Sequence, residues 1–219
     1  MKTVNFNDCS LYFLEKTFGL KQQIASSVLE HWINPLSPIV IPDEYMPMLQ
    51  ICVQNLSDNV THWNEQDLSL HFIGPIFSLA RFTTRYRFNL FAQRFLQNTI
   101  NNVHLQGKVD ELVASGYREP EIPFFAFNEY KKDQEYKGDA AGQALAAMLV
   151  GQSLNQDNLP LYGCYVVGRN WFFMVLEGKN YTVSHAFDAT ILENTCQILR
   201  ILFQLKAYCM ERTETVQNI

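Results

Sequence analysis

An excess of basic charge is missing from this chain. Lys and Arg number 17 against 22 for Asp and Glu, so the net charge at neutral pH is −5. Proteins that bind nucleic acid through their whole surface carry a positive field, so any such contact is expected to be local here. Also missing is an apolar run of the ~18 residues that a membrane-spanning helix needs, and no membrane partner is expected.

Paired cysteine and histidine motifs are missing as well. The five cysteines are scattered without a CxxC pair, and the five histidines have no HxxxH spacing, so a structural zinc site is not expected. Scattered cysteines in odd number favour buried free thiols in a reducing compartment, which makes the cytoplasm the expected location. The chain also lacks a glycine-rich phosphate loop, a dinucleotide fingerprint and a serine nucleophile elbow, which argues against those enzyme classes.

Apolar residues are plentiful. They make up 47% of the chain against 18% for charged residues, which is typical of a globular protein. Apolar residues recur at helical spacing in five segments, at 9–34, 45–56, 64–76, 140–150 and 190–210. Alternation and β-forming residues predict strands at 85–90, 103–114, 122–130, 161–167, 171–176 and 181–186.

The order of these segments predicts the fold class. Helices come first, followed by strands, a helix, a strand pair and a last helix, which indicates a mixed α/β core behind a helical N-terminal part. We expect a helical extension over residues 1–60, an α/β core over 61–212 and a polar tail over 213–219. The aromatic-rich strands and the last helix leave open whether the chain is a monomer or buries a homodimer face.

Three D/E-x-K tripeptides are present, at Glu129–Lys131, Glu135–Lys137 and Glu177–Lys179. A chain of this length has about one or two by chance, so their context must select among them. The second lies in a polar segment typical of a solvated loop, and the third precedes a turn, with no aspartate on a strand shortly before it. The first ends an apolar strand, follows Asp110 on the preceding strand and precedes a helix of small residues, so it is the candidate site.

Asp110 and Glu129 are carboxylates delivered by consecutive strands. Two converging carboxylates can hold a divalent cation, and Lys131 beside them can position a water or steady the charge of a phosphate. A salt-bridged cluster at the sheet edge accounts for the same three residues, and the residues alone leave both interpretations open.

A longer pattern surrounds these residues. Gly107–Asp110 reads G-x-V-D, Glu129–Lys131 reads E-Y-K, and Gly142–Met148 reads G-Q-x-L-A-A-M. Together they resemble the PD-(D/E)XK nuclease superfamily, and most of all a group of uncharacterised bacterial proteins within it. The resemblance extends over residues 61–205, and Val109 stands where the superfamily's name has proline.

The resemblance implies a restriction-endonuclease-like fold, in which helices flank a mixed central β-sheet. It also implies hydrolysis of DNA phosphodiester bonds with Mg²⁺ or Mn²⁺. The metal ligands would be Asp110, Glu129 and the backbone carbonyl of Tyr130. Lys131 would position the attacking water or steady the charge of the transition state.

The resemblance assigns roles to two helical residues as well. Gln143 would orient a neighbour or a phosphate, although a helix-face amide without a ligand is an equal interpretation. Glu65 would be the counterpart of the superfamily's first acidic residue, although an acid in the first helical turn is equally explained by the helix dipole. A second hypothesis of function keeps the fold without strong catalysis, as a binding or structural module, and the net acidity favours it.

The segment from Leu68 to Val109 contains no Asp or Glu. Its basic residues alternate with aromatic ones and form the candidate nucleic-acid contacts: Arg81, Arg85, Arg87, Arg94 and Lys108. They could track phosphates while the aromatics stack on bases. The alternation favours arginines on the solvent face of a strand whose aromatic residues face the core, an arrangement that also permits contact with DNA.

Overall fold

The computed structural model describes residues 2–84, 87–133 and 138–217, with side chains described as far as Glu214. Its centre is one mixed β-sheet. In the described residues this sheet has nine strands: β1 (Lys2–Asn5), β2 (Lys21–Gln22), β3 (Asn89–Ile100), β4 (Val103–Ser115), β5 (Glu121–Lys131), β6 (Leu161–Val167), β7 (Asn170–Glu177), β8 (Asn180–Val183) and β9 (Phe187–Asp188).

Helices flank this sheet. They are α1 (Leu11–Phe18), α2 (Ser27–Ile33), α3 (Met46–Asn59), α4 (Glu65–Leu68), α5 (Gly74–Ala80), α6 (Ala140–Asn155) and α7 (Leu192–Gln217). A π-helical turn over Ser69–Ile73 joins α4 to α5. Within the described ranges, none of the helices combines the length and the apolar character needed to cross a membrane.

The strand order is β1-β4-β5-β6-β7-β8-β2, with β3 paired to β4 and β9 paired to β7. The pairs β1/β4, β5/β6 and β2/β8 are parallel, and the other pairs are antiparallel. Because β5 and β6 are parallel, the chain crosses over between them through α6. The predicted α/β class, a mixed sheet flanked by helices, is confirmed.

Two hydrophobic cores lie on the two faces of the sheet. One contains Leu145 and Met148 of α6 with Leu105 of β4. The other contains Trp32 of α2 and Leu202 of α7. All five cysteines are free and buried, which confirms the free thiols expected from their spacing.

The first 60 residues contribute strands to the sheet as well as helices. The single helix predicted over residues 9–34 is wrong. Gly19, at φ 70°, ends α1 in the left-handed region, β2 then pairs with β8, and the hydroxyl of Ser26 caps the start of α2. Since β1 also pairs with β4, the N-terminal segment is part of the sheet that carries the candidate site.

The helix predicted over residues 64–76 begins at Glu65 and continues past Pro75 through a π-helical turn. Asn64 and Asp67 form a reciprocal capping box at its start. Pro75 has no N–H to donate within the helix. The chain widens into the π-helical turn just before it, where the N–H of Gly74 donates to the carbonyl of Ser69, and the helix continues to Ala80.

Several predicted bounds shift. The strand predicted over 85–90 begins only at Asn89, and residues 85 and 86 lie outside the described residues. The hairpin of β6 with β7 is confirmed, as is the helix that begins at Ala140. The last helix extends to Gln217, so the predicted tail from residue 213 is mostly helical, while 218 and 219 lie outside the description.

Candidate active site

Asp110 lies where two strand ladders are interrupted. On one side, β3 pairs with β4 at Ala92↔Glu111 and at Arg94↔Val109, but the intervening pair of Gln93 with Asp110 is missing. On the other side, the ladder between β4 and β5 stops at Glu111↔Asn128, one residue short of Asp110. The backbone therefore opens around this carboxylate.

The carboxylate of Asp110 replaces part of the missing ladder. Its Oδ2 accepts a hydrogen bond from the backbone N–H of Tyr130 at 3.0 Å. Its Oδ1 accepts from Nε2 of Gln93 at 2.8 Å. Both oxygens are thus held, and each keeps a second lone-pair position for another partner.

Glu129 and Lys131 lie two residues apart on β5, so their side chains lie on the same face of the strand. Nζ of Lys131 is 3.1 Å from Oε1 of Glu129 and 3.3 Å from Oε1 of Glu65. The side chain of Glu129 is 9% exposed and that of Lys131 is 16% exposed, whereas that of Glu65 is 42% exposed. One ammonium thus bridges a buried acid from the sheet and a more exposed acid from a helix.

Gln143 reaches the same place from the first turn of α6, which begins at the Asp139 cap. It is 3% exposed, and its Oε1 has no hydrogen-bond partner among the described residues. A Cβ built on Gly138 would lie 2.9 Å from Nε2 of Gln143 and 4.0 Å from Cε of Lys131. Gly138, at φ 91°, therefore permits a close approach that a larger residue would block.

The acids of this cluster resist ionisation. Burial raises the pKa of Glu129 to about 8, the nearby charge of Asp110 adds to the rise, and the ammonium of Lys131 offsets only part of it. Burial also raises the pKa of Asp110, against the opposing hydrogen bonds from Tyr130 and Gln93. Additional positive charge beside these two residues would therefore stabilise the ionised form of each carboxyl group.

Lys131 keeps its charge. Burial by itself lowers its pKa, but the carboxylates of Glu129 and Glu65 outweigh burial and the net direction is upward. A raised pKa on both Glu129 and Lys131 means that the pair holds an extra proton more readily than isolated groups would.

Divalent cations differ in the number and kind of donor atoms that they take. In the described parts of the chain, no group of three or more His, Cys, Asp or Glu side chains is arranged to hold a metal ion. Mg²⁺ commonly takes one or two carboxylates and completes its shell with water, and Asp110 and Glu129 supply two carboxylates.

Tyr130 completes the oxygen donors. Its N–H points toward β4, where it donates to Asp110. In a strand, the N–H and C=O of one residue point to the same neighbour, so its carbonyl faces the same opening between β4 and β5. Its side chain lies on the other face of the sheet, where its hydroxyl donates to Ser69 at 3.1 Å.

The structure separates the candidate nucleic-acid contacts into two groups. Arg87 donates from Nη1 to Glu214 of α7 at 2.7 Å. Arg81 ends α5 in a left-handed conformation, and its charge lowers the pKa of Lys206 on α7, after the larger effect of burial. Both arginines belong to the α7 side of the sheet and do not join the acidic cluster.

Two of the other candidate contacts lie on the strands that carry Gln93 and Asp110. Arg94 follows Gln93 on β3, and its Nε is 3.4 Å from Oε2 of Glu119. Lys108 is exposed on β4, two residues before Asp110. Arg85 lies outside the described residues.

The sequence pattern did not single out Gln93 or Glu111. Gln93 has a positive φ of 54° inside a strand, and glutamine carries no preference that would reveal it. Glu111 is 5% exposed, and its Oε2 has no partner among the described residues. Its position beside Asp110 in an alternating strand was the available signal, because alternation places it on the opposite, apolar face.

Glu65, Asp110, Glu129, Lys131 and Gln143 thus meet around the C-terminal end of β5, although they come from two helices and two strands. In comparisons with models of known protein families and with curated proteins, the chain has no match. This cluster and the fold that holds it are therefore the features that indicate a function.

Proposed function

We propose that this chain hydrolyses DNA phosphodiester bonds with the help of Mg²⁺ or Mn²⁺ and has the restriction-endonuclease-like fold of the PD-(D/E)XK superfamily. The observation that carries the proposal is the meeting of the buried carboxylate of Glu129 and the half-buried carboxylate of Asp110 with the half-buried ammonium of Lys131 and the buried, unpartnered amide oxygen of Gln143. Ionisable groups whose pKa values are shifted by burial and by neighbouring charges are concentrated at functional sites.

The arrangement of the strands supports the same fold. β3, β4 and β5 run antiparallel, α6 follows, and β6 returns parallel to β5. In this order the two acids and the lysine come from adjacent strands, and Gln143 comes from the crossover helix. The resemblance to the PD-(D/E)XK superfamily implies a catalytic site at these positions.

Asp110, Glu129 and the carbonyl of Tyr130 would hold the cation. A bound divalent cation would supply Lewis-acid charge beside the phosphate. Both carboxyl groups have raised pKa values without it, so positive charge at this position would favour their ionised forms. The protein thus supplies acids that gain from a cation, and it holds Asp110 in place by two hydrogen bonds.

In the reaction, the oxygen of a water would bond to phosphorus, the bond from phosphorus to one ester oxygen would break, and the proton that the attacking water loses would reach the leaving oxygen through solvent. The raised pKa of Lys131 keeps its side chain protonated. It therefore acts as a cation that stabilises negative charge on phosphate oxygens, and not as a base. The free Oε1 of Gln143 can accept a hydrogen bond from the attacking water.

A second candidate function is a nuclease-like fold that binds without efficient catalysis. The ion pairs of Lys131 with Glu129 and Glu65 favour it, because they already neutralise part of the acidic cluster. The net charge of −5 also favours it, since an acidic surface repels a nucleic-acid substrate.

Calorimetric titration with Mn²⁺ tests the site directly. We expect the wild-type chain to bind Mn²⁺ and Glu129→Ala to bind it at least about tenfold more weakly. Glu121→Ala is the matched control, because Glu121 is an exposed residue at the other end of the same strand. Absence of binding, or equal binding by the wild type and Glu129→Ala, would overturn the metal site.

A cleavage assay on plasmid and single-stranded DNA separates the two candidate functions. Metal-dependent cleavage that is lost in Lys131→Ala supports hydrolysis at this site. Mn²⁺ binding without cleavage supports the binding module instead. Cleavage that survives Lys131→Ala would contradict the assigned role of the lysine and indicate a contaminating nuclease.

A further inference from the structure

Gln93 has an uncommon backbone conformation for its position. It is a non-glycine residue with a φ of 54° in the middle of β3. Every other described non-glycine residue with a positive φ lies at a helix end, in the hairpin turn or in a loop: Arg81, Asn101, Asn102, Gln156 and Asn158. A left-handed residue without a local turn to require it costs about 1–2 kcal/mol, so the surrounding structure must compensate for it.

This conformation removes one pair from the ladder without changing its register. The pairs on either side, Ala92↔Glu111 and Arg94↔Val109, belong to one register, and only Gln93 and Asp110 between them are unpaired. A bulge would have shifted the register by one residue. The chain therefore gives up backbone pairing at the one position of β3 that lies opposite Asp110.

The side chain of Gln93 provides a replacement contact. Its Nε2 donates to Oδ1 of Asp110 at 2.8 Å, while the N–H of Tyr130 holds Oδ2. Two donors from different strands prevent rotation of the carboxylate and leave one lone-pair position free on each oxygen. Partners of this kind orient carboxylate ligands in metal sites.

We infer that Gln93 is a positioning residue, which fixes the carboxylate of Asp110 in the orientation that a divalent cation requires. The inference rests on the proposed function for its link to the cation. The orientation of Asp110 itself can be measured without a metal, through the hydrogen bond that Tyr130 donates to the same carboxylate.

Two variants isolate the amide of Gln93. Gln93→Met keeps a side chain of similar length, and Gln93→Gly keeps the left-handed backbone without its steric cost. The loss of the amide is common to both. Thermal unfolding identifies any general loss of stability. The internal control for hydrogen exchange is the backbone amide of Leu105, a fully buried residue that precedes Asp110 on β4.

We expect hydrogen exchange of the Tyr130 amide, followed by NMR, to become about tenfold faster in both variants, while that of Leu105 stays as in the wild type. We also expect Mn²⁺ to bind roughly 10- to 100-fold more weakly to both, as measured by calorimetry. An effect in Gln93→Met that is absent from Gln93→Gly would assign the effect to backbone strain and overturn the inference.

The two readouts also separate the inference from the proposed function. Unchanged exchange at Tyr130 would overturn the positioning role, whatever happens to Mn²⁺ affinity. Faster exchange at Tyr130 in a chain whose wild type binds no Mn²⁺ would support the positioning of Asp110 and reject its link to a cation, and the proposed function would fail with that link.

Discussion

Replacing Glu111 by Gln tests whether a carboxyl group buried behind the candidate site carries a proton at neutral pH. Burial, and to a smaller degree the charge of Asp110, raises the pKa of Glu111 from its usual 4.5 to about 8. Side chains alternate along a strand, so Glu111 lies on the opposite face from Asp110. The substitution therefore removes one titrating group and leaves the candidate acids in place.

The direction in which stability changes with pH depends on whether the folded or the unfolded state binds the proton. Between pH 4.5 and about 8 the folded protein keeps this proton while the unfolded chain has released it. The folded state binds more protons, so the contribution of Glu111 to the free energy of unfolding falls as the pH rises through this window and is constant outside it. At about 1.4 kcal/mol per pH unit, the contribution is at most about 5 kcal/mol.

Urea unfolding followed by tryptophan fluorescence measures this contribution. The informative quantity is the change, between about pH 5 and about pH 9, in the stability difference between Glu111→Gln and the wild type. We expect the variant to gain about 3–5 kcal/mol relative to the wild type over this range. A buried amide with unsatisfied donors costs the same at both pH values, so it does not affect the comparison.

Glu121→Gln is the matched control, since Glu121 is exposed on the next strand, and it should show no such change. If the stability difference between Glu111→Gln and the wild type is the same at the two pH values, Glu111 is not protonated in the folded protein. Burial would then not be sufficient to raise the pKa of this residue.

Three further substitutions test a close backbone contact, a helix cap and an ion pair. Gly142→Ala should destabilise the fold by about 1–3 kcal/mol in urea unfolding, because the new Cβ would lie 2.5 Å from the carbonyl oxygen of Cys9; wild-type stability would contradict this close approach. Asp139→Ala should cost roughly 2 kcal/mol, since its carboxylate accepts from the N–H groups of both Gly142 and Leu11, and a cost near zero would show that neither bond contributes. Arg87→Ala should lower stability by less than about 1 kcal/mol and leave DNA affinity unchanged, because Arg87 pairs with Glu214 on the C-terminal helix. Weaker DNA binding by this variant in a gel-shift assay would show that Arg87 contacts DNA.

The sequence predicted the elements around the site better than the elements before it. The strand over 103–114, the hairpin of 161–167 with 171–176 and the helix from Ala140 all have a strong local pattern, and the structure confirms them. The single helix over 9–34 failed because apolar spacing continues across Gly19, which ends the helix by its backbone conformation. The short strands β1 and β2 have few buried residues and form only because β4 and β8 provide partners.

For the candidate site, the sequence by itself determined which residues are available. A strand with Asp110, a strand ending in Glu129–Lys131 and a helix with Gln143 follow from residue type and periodicity, which act over a few neighbouring positions. Tertiary structure alone decided that Glu65 reaches Lys131, that the ladders open around Asp110 and that Gln93 turns its amide onto that carboxylate. These contacts join residues 17 to 66 positions apart. They exist because burial leaves each polar group only the partners that the packed chain brings within hydrogen-bond distance.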